Sequence, residues 1–192
     1  EWSYNFVSSD SKIDRVRGLA ALPDGRVIAV GKTYGLLGLE RFAGAGISDS
    51  FIASLSATGT LNWLKQTGGP AATSYEDVFL SPGGSTVTVR GQGRYDTSIT
   101  DGPQYLAIAT YDFSGVQTAL AQVTYSTAFL TNSSYVVKAV STSTGLAIMS
   151  SSGTGQCLSL SLVAEDGVVQ RVIGNALCRL CLLYTSDAAD EG

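Results

Sequence analysis

One pattern of short apolar runs and turns occurs three times in this 192-residue chain, and it restricts the fold more than any other feature. In the middle copy the runs lie at residues 49–55, 61–64, 77–80 and 86–89, and the turns between them are rich in Gly and Pro. Runs of this length between such turns are typical of strands joined by hairpins. Residues 49–91 therefore predict a four-stranded antiparallel meander.

The same pattern returns before and after this stretch. Residues 17–31 match 76–91, and a third copy lies at 136–149; residues 51–59 match 105–115 and 158–167. Trp2 matches Trp63, whereas the third copy has no Trp at that place. The spacing of roughly 50 to 60 residues suits a four-stranded propeller blade with one long loop.

The composition of the runs favours sheets that are covered on both faces. Residues 27–30 and 106–109 are apolar at every position, which is expected when a sheet has a neighbour on each side. Small side chains such as Ala29 and Ala107 would let neighbouring sheets approach, and a Trp on the fourth strand would fill the core between them. The sequence predicts an all-β fold, a partial β-propeller of about three four-stranded antiparallel blades. The incomplete propeller is assigned to residues 1–177, with blade parts at 1–65, 66–122 and 123–174.

Both ends of the chain carry their own expectations. The first residues have no initiator Met and look like the middle of a strand, so we expect the chain to be cut at its N-terminus. Residues 181–191 resemble the translation of a transposon-end sequencing adapter, and residues 178–192 are assigned to a non-native or disordered tail. Cys157 and Cys178 then remain, and we interpret them as two unpaired thiols.

Residues 49–63, the pair Gly68 and Gly69, and residues 82–91 together resemble the bladed β-propeller repeat, SBBP-type, of bacterial secreted and surface proteins. This resemblance implies a propeller, usually of non-catalytic or unassigned role, and it brings no catalytic residues. The chain departs from the repeat after the third strand of the first copy, where an acidic residue is absent. Ala53, Thr58, Gly59 and Trp63 are also similar to the Trp-docking motif of quinoprotein propellers.

The chain lacks the residues that several classes of protein function need. The chain has no His, the commonest general base and metal ligand, and no nucleophile elbow, phosphate loop or pair of carboxylates is present. We therefore assign no catalytic, cofactor-binding or metal-binding residue, and we expect the protein not to be an enzyme. A net charge of −4 without a basic block argues against nucleic acid, and no apolar run is long enough to span a membrane. Few charged residues and many Ser and Thr favour an extracellular or cell-surface location.

The order of the strands predicts where a binding surface lies. Successive turns of a meander alternate between its two ends, so the tight turns share one end. The long loops at 32–48, 92–104 and 150–156 share the other end with the connections between blades at 66–75 and 123–135. Variable loops on a rigid scaffold often carry binding. The candidate residues for this face are Tyr34, Arg41, Phe42, Arg94, Tyr95 and Tyr125.

Aromatic side chains beside Arg suit contact with a protein or a glycan. The competing interpretation is that these side chains only fill their loops. Asp96 and Asp101 carry oxygen ligands suited to Ca²⁺, but no dense acidic run surrounds them. Asn132 begins a glycosylation acceptor pattern that matters only in a eukaryotic secretory pathway.

The functional expectation is a non-catalytic β-propeller scaffold that presents a long-loop face for protein or glycan binding in a secreted or cell-surface protein. Its expected partners are an unknown protein or glycan and the remaining blades of the parent chain. The alternative is a fragment of a propeller enzyme, quinoprotein dehydrogenase-like, whose active site lies in missing blades.

Overall fold

The computed structural model describes residues 1–8, 13–37, 47–68, 72–81, 83–94, 104–124, 135–142, 145–151, 158–164 and 169–174. These residues form β-strands and turns and contain no helix. The strands, in chain order, are β1 (Asp14–Ala21), β2 (Val27–Thr33), β3 (Asp49–Leu55), β4 (Leu61–Thr67), β5 (Thr73–Leu80), β6 (Thr86–Arg94), β7 (Gln104–Asp112), β8 (Gln117–Thr124), β9 (Tyr135–Thr142), β10 (Gly145–Ser151), β11 (Leu158–Ala164) and β12 (Val169–Gly174).

The strands form three four-stranded antiparallel sheets, which we call sheet A (β1 to β4), sheet B (β5 to β8) and sheet C (β9 to β12). In each sheet the spatial order follows the chain order. The predicted all-β class with antiparallel four-stranded sheets is therefore confirmed.

The prediction that residues 49–91 form one four-stranded meander is wrong, because its four runs belong to two different sheets. All four runs are strands, but β3 and β4 end sheet A, whereas β5 and β6 begin sheet B. Strand β5 makes no ladder with β4 and instead packs against β1, β2 and β3 of sheet A. Local turn signals cannot show this boundary, because a meander of similar strands can be divided after any of them.

The three sheets share their irregularities as well as their strand order. In the first strand of each sheet one residue is bulged out of the ladder, and in the fourth strand another is. These residues are Arg17, Glu76 and Val137 in the first strands, and Asn62, Thr118 and Gln170 in the fourth. Because a bulge bends and twists its strand, the same pair of bulges gives the three sheets a common local distortion. The internal repeat is thus a repeat of backbone geometry.

Four tight turns of sheets A and B use one design. The glycines at 25, 59, 84 and 115 have φ between 68° and 86°, the left-handed region, and each donates its N–H to the carbonyl three residues earlier. Such a hairpin turn, ending in a left-handed residue, is typical of three-residue loops. As predicted, these turns lie at one end of sheets A and B. The end of β2 with the start of β3, and the end of β6 with the start of β7, lie at the other end, which we call the loop end.

The main core lies between sheets A and B. Its members are buried apolar side chains of both sheets: Leu22, Ile28, Val30, Ile52, Tyr75, Val78, Val87, Val89, Ala109 and Tyr111. Trp63 of β4 packs against this core, so the predicted role of that Trp as filler between sheets is confirmed. The packing of one sheet on the next explains why residues 27–30 are apolar throughout.

Two ion pairs accompany this core along the first strands. Arg90 on β6 is 6% exposed, and its guanidinium Nε donates to Asp77 Oδ2 on β5 at 2.8 Å. Arg17 on β1 lies 3.7 Å from Glu76 on β5 and so connects the bulges of sheets A and B. A buried Arg needs such a carboxylate, because an unpaired charge is costly away from water.

Residues 1–8 do not form the strand that was expected of them. They carry no ladder pairing, yet they lie along sheet A. The Trp2 indole donates to the carbonyl of Ala57 at 2.9 Å, and the Phe6 ring packs 5.1 Å from that of Phe51. The backbone N–H of Ser8 donates to Asp14 at the loop end.

Candidate functional site

The predicted binding residues are only partly placed by the structure. Tyr34 follows β2 at the loop end of sheet A. Arg94 is the last residue of β6 and pairs with Gln104, so its assignment to the loop is wrong. The ladder extends beyond the predicted end of this strand because Gly91 has no side chain: a Cβ there would lie 2.6 Å from the Ser74 carbonyl. Arg41, Phe42, Tyr95 and Tyr125 lie outside the described residues, as do Asp96, Asp101, Asn132, Cys157 and Cys178.

Tyr34 forms a pair with Lys32. The Lys32 ammonium donates to the Tyr34 hydroxyl at 3.3 Å and lies 5.3 Å from the centre of its ring. An ammonium at this distance is attracted to the ring as well as to the hydroxyl. The loop end of sheet A thus presents a tyrosine whose ring is already held beside a positive charge.

A buried polar network holds the start of this loop in place. Thr33 donates to Asp14 Oδ1 at 2.5 Å, and the Thr33 hydroxyl accepts the N–H of Gly35 at 2.9 Å. Gln66 donates to the Gly35 carbonyl at 3.0 Å and to Asp49 at 2.8 Å. Because buried polar groups are costly unless they are hydrogen-bonded, this network specifies one loop conformation. Sequence reasoning missed it, since these residues meet only when four strand ends come together.

At the opposite end of the sheets, two side chains of sheet A hold one turn of sheet B. The Trp63 indole N–H and the Arg26 guanidinium both donate to the carbonyl of Phe113, each at 3.1 Å. The Arg26 guanidinium carbon also lies 5.1 Å from the centre of the Phe113 ring. We call this contact the turn latch. It joins sheets A and B.

Trp2 repeats half of the turn latch one sheet earlier. Its indole covers Gly59, as the Trp63 indole covers Gly115, and donates to the carbonyl at the corresponding place in the turn. A Cβ on Gly59 would lie 2.6 Å from the Trp2 ring, and one on Gly115 would lie 2.9 Å from the Trp63 ring. The glycines are therefore needed for the ring contact as well as for their positive φ.

Two carboxylates order the turn latch and give it an expected pH dependence. The side-chain hydrogen bond from Arg26, 2.7 Å from Nε, lowers the pKa of Asp24, and the Ser114 hydroxyl, followed by the Val116 N–H, lowers that of Asp112. A lowered folded pKa means that these contacts stabilise above the ordinary value of 3.8 and are lost as the pH falls. We expect the melting temperature to decrease between about pH 5 and pH 1.

The matched variant for this prediction is Asp112→Asn, whose side-chain oxygen still accepts hydrogen bonds but does not titrate. Its melting temperature, followed by circular dichroism across the same pH range, should fall less steeply than that of the native chain. The double variant Asp24→Asn with Asp112→Asn should be flatter still. If the melting temperature falls equally steeply with decreasing pH in all three proteins, other carboxylates are responsible for the loss.

Between the two ends, four hydroxyl and amide groups form a directed hydrogen-bond chain across sheets A and B. The Thr67 hydroxyl of β4 donates to the Tyr75 hydroxyl at 3.2 Å. The Tyr75 hydroxyl lies 2.9 Å from the Tyr111 hydroxyl, and Tyr111 in turn donates to Gln117 Oε1 at 3.1 Å. Burial raises the pKa of Tyr75 and, with the neighbouring Tyr75, that of Tyr111. Both phenols thus stay neutral near pH 7 and act as hydrogen-bonding groups and not as bases.

Thr67, Tyr75 and Gln117 of this hydrogen-bond chain also line a cleft of about 150 Å³, whose walls come from strands β3 to β8. The lining residues are Ser50, Thr67, Gly68, Thr73, Ser74, Tyr75, Gln92, Ala107, Gln117 and Leu120. None of them is charged, and most carry a hydroxyl or an amide. No residue of the predicted binding face is among them. Sequence reasoning missed the cleft because its walls come from separate strands whose side chains have no shared motif.

The described residues contain no group of three or more His, Cys, Asp or Glu side chains close enough to hold a metal ion. Within the same part of the chain, none of the secondary structure is a helix with the length and apolar character needed to cross a bilayer.

No family model matches this chain, and no curated protein is significantly similar to it. The function is therefore inferred from the residues and geometry described above.

Proposed function

We propose that sheets A, B and C are three consecutive blades of a β-propeller. The recurrence of both bulges at the same places in each sheet carries this proposal. The contacts agree with it, since β5 lies against β1 on one side and against β9 on the other, as the first strands of neighbouring blades would. The Trp contacts on Gly59 and Gly115 add a second device that repeats from one sheet to the next.

We further propose that the scaffold is non-catalytic and binds a protein or a glycan through the loop end, in a secreted or cell-surface protein. The support for this proposal is that the two ends of the sheets carry different kinds of contact. The tight-turn end is occupied by the turn latch, whereas the loop end carries the Tyr34 and Lys32 pair where buried hydrogen bonds hold residues 33–35 in place. A preorganised segment loses little conformational entropy when it binds.

Binding to an array of glycans and an array of purified extracellular proteins tests this role. We expect a ligand on one of the two arrays, and we expect Tyr34→Ala to weaken it by about tenfold, because an aromatic anchor is removed. Thr118→Val is the control, since this exposed residue lies near the tight turn of β8. The role is wrong if neither array retains the chain, or if both variants bind as well as the native protein.

The alternative, a fragment of a quinoprotein-like propeller enzyme, rests on the resemblance of Ala53, Thr58, Gly59 and Trp63 to the Trp-docking motif. In the structure the Trp2 indole lies against Gly59 and the Trp63 indole against Gly115. Because the active site of this alternative lies in missing blades, the parent chain with all its blades is the protein to test, and its incubation with a redox-active quinone cofactor and an alcohol, followed by dye reduction, separates the two functions. The binding scaffold predicts no turnover, and dye reduction above the protein-free rate would favour the enzyme.

A propeller of three blades leaves apolar faces open, and this predicts self-association. Side chains on and before β1 are strongly exposed: Val7 at 74%, Leu19 at 65% and Ile13 at 59%. Exposed apolar groups beside unpaired strand edges promote association. We expect the chain alone to oligomerise or aggregate, as measured by light scattering after size exclusion. A soluble monomer that melts cooperatively would contradict this.

A further inference from the structure

The cleft between sheets A and B contains polar groups that make no side-chain hydrogen bond to the described residues. Within the described part of the chain, the Gln92 amide and the Ser50 hydroxyl make no side-chain hydrogen bond to protein. Gln117 accepts one hydrogen bond from Tyr111 through Oε1, and its Nε2 has no partner among the same residues. The Gln92 amide offers two N–H donors and an acceptor oxygen, and Gln117 Nε2 offers donors. The Ser50 hydroxyl is both a donor and an acceptor. The cleft thus presents neutral donors and acceptors side by side.

These properties select a ligand class. An ion would find no opposite charge among the residues that line the cleft, so no ion pair would offset the free-energy cost of removing its water. A hydroxyl group is itself a donor and an acceptor, and neighbouring hydroxyls match an amide that is both. Ala107 and the half-exposed Leu120 supply apolar surface beside these groups, which suits the C–H face of a sugar ring.

The size of the cleft limits how much of a ligand enters. The volume of the cleft is about 150 Å³. This is smaller than a typical drug-sized pocket of about 300 Å³ or more. One edge of a single sugar unit, with two neighbouring hydroxyls, therefore fits better than a whole oligosaccharide. The hydrogen-bond chain from Thr67 to Gln117 holds the Gln117 side chain in position.

We propose that this cleft is a subsite for a neutral saccharide, with Gln92 and Gln117 binding two neighbouring hydroxyls and Leu120 packing on the ring. The inference deepens the proposed glycan-binding function and rests on it, but it places one sugar unit between the sheets and not on the loop that carries Tyr34. The affinity expected of so few contacts is weak, in the millimolar range.

Titration of the ¹⁵N-labelled chain with neutral methyl glycosides tests the subsite, because NMR resolves the side-chain amide groups directly. We expect the Gln92 and Gln117 side-chain signals to shift with one methyl glycoside of gluco, manno or galacto configuration. A glucuronate and a glucosamine of the same ring should bind more weakly, because their charges have no partner. Absence of any shift in both signals with all three methyl glycosides would overturn the proposal.

Two variants localise the site. Leu120→Trp fills the cleft, and Gln92→Leu removes the hydrogen-bonding groups at similar size; each should weaken the neutral glycoside by about tenfold. Leu19→Trp is the matched control, since Leu19 is likewise an exposed strand leucine but lies outside the cleft. Native binding by both cleft variants would overturn the subsite. If Tyr34→Ala still weakens glycan binding by about tenfold in that case, the proposed function stands and only the subsite fails.

Discussion

Replacement of Trp63 by alanine is expected to destabilise the protein by about 3 kcal/mol, the low end of the range for removing a large aromatic side chain from a core. The low end applies because Trp63 is only partly buried. The loss has two parts, the packing of the indole against the core between sheets A and B and the hydrogen bond to the Phe113 carbonyl. Urea denaturation followed by far-ultraviolet circular dichroism measures the change.

Trp2→Ala is the matched control for this variant. Trp2 makes the same two contacts, with the Gly59 turn and with a backbone carbonyl, but it is 42% exposed and no further sheet packs on it in the described structure. We expect this change to cost about 1 kcal/mol, in proportion to the smaller apolar area removed from water. Equal losses for the two variants would show that the indole contact with the turn, and not the inter-sheet core, carries the energy.

Gly115→Ala is the second change for which we expect a large effect, about 3 kcal/mol of destabilisation. Gly115 has a φ of 86°, which strains any L side chain, and its Cβ would lie 2.9 Å from the Trp63 ring. The ring cannot move away without losing its hydrogen bond to Phe113. The same denaturation experiment measures the effect.

Gly84→Ala separates the two causes. Gly84 has a φ of 68° in the corresponding turn of β5 and β6, but no atom lies within 4 Å of its added Cβ. Its loss should therefore be the backbone strain alone, about 1 kcal/mol. If Gly115→Ala is no more destabilising than Gly84→Ala, the Trp63 ring yields freely and the turn latch is weaker than its geometry implies.

The position of one residue of the proposed binding surface could be predicted from the sequence. The alternation of turns placed Tyr34 at the loop end correctly, because the order of strands in an antiparallel sheet determines which end each turn occupies. Arg94 was placed in a loop because apolar patterning ends near Gly91, whereas the ladder continues through polar residues whose backbone pairs with β7. Backbone pairing does not need apolar side chains, so the apolar pattern of the sequence does not predict where the ladder ends.

The cleft could not have been predicted at all. Its lining residues are neutral, common and distributed over β3 to β8, and none of them forms a motif with its neighbours in sequence. Only the packing of β4 against sheet B brings Thr67 to Tyr75, and only the pairing of β7 with β8 brings Gln117 to Tyr111.

From its sequence alone this chain was determined to be all-β, with its strands separated by glycine turns and repeated three times. These are local properties, because apolar alternation and a left-handed glycine act within one strand or one turn. The tertiary structure alone decided which apolar faces of sheets A and B are buried against each other. That packing depends on side chains such as Val30 and Val89, which are far apart in the chain and meet only in the folded protein.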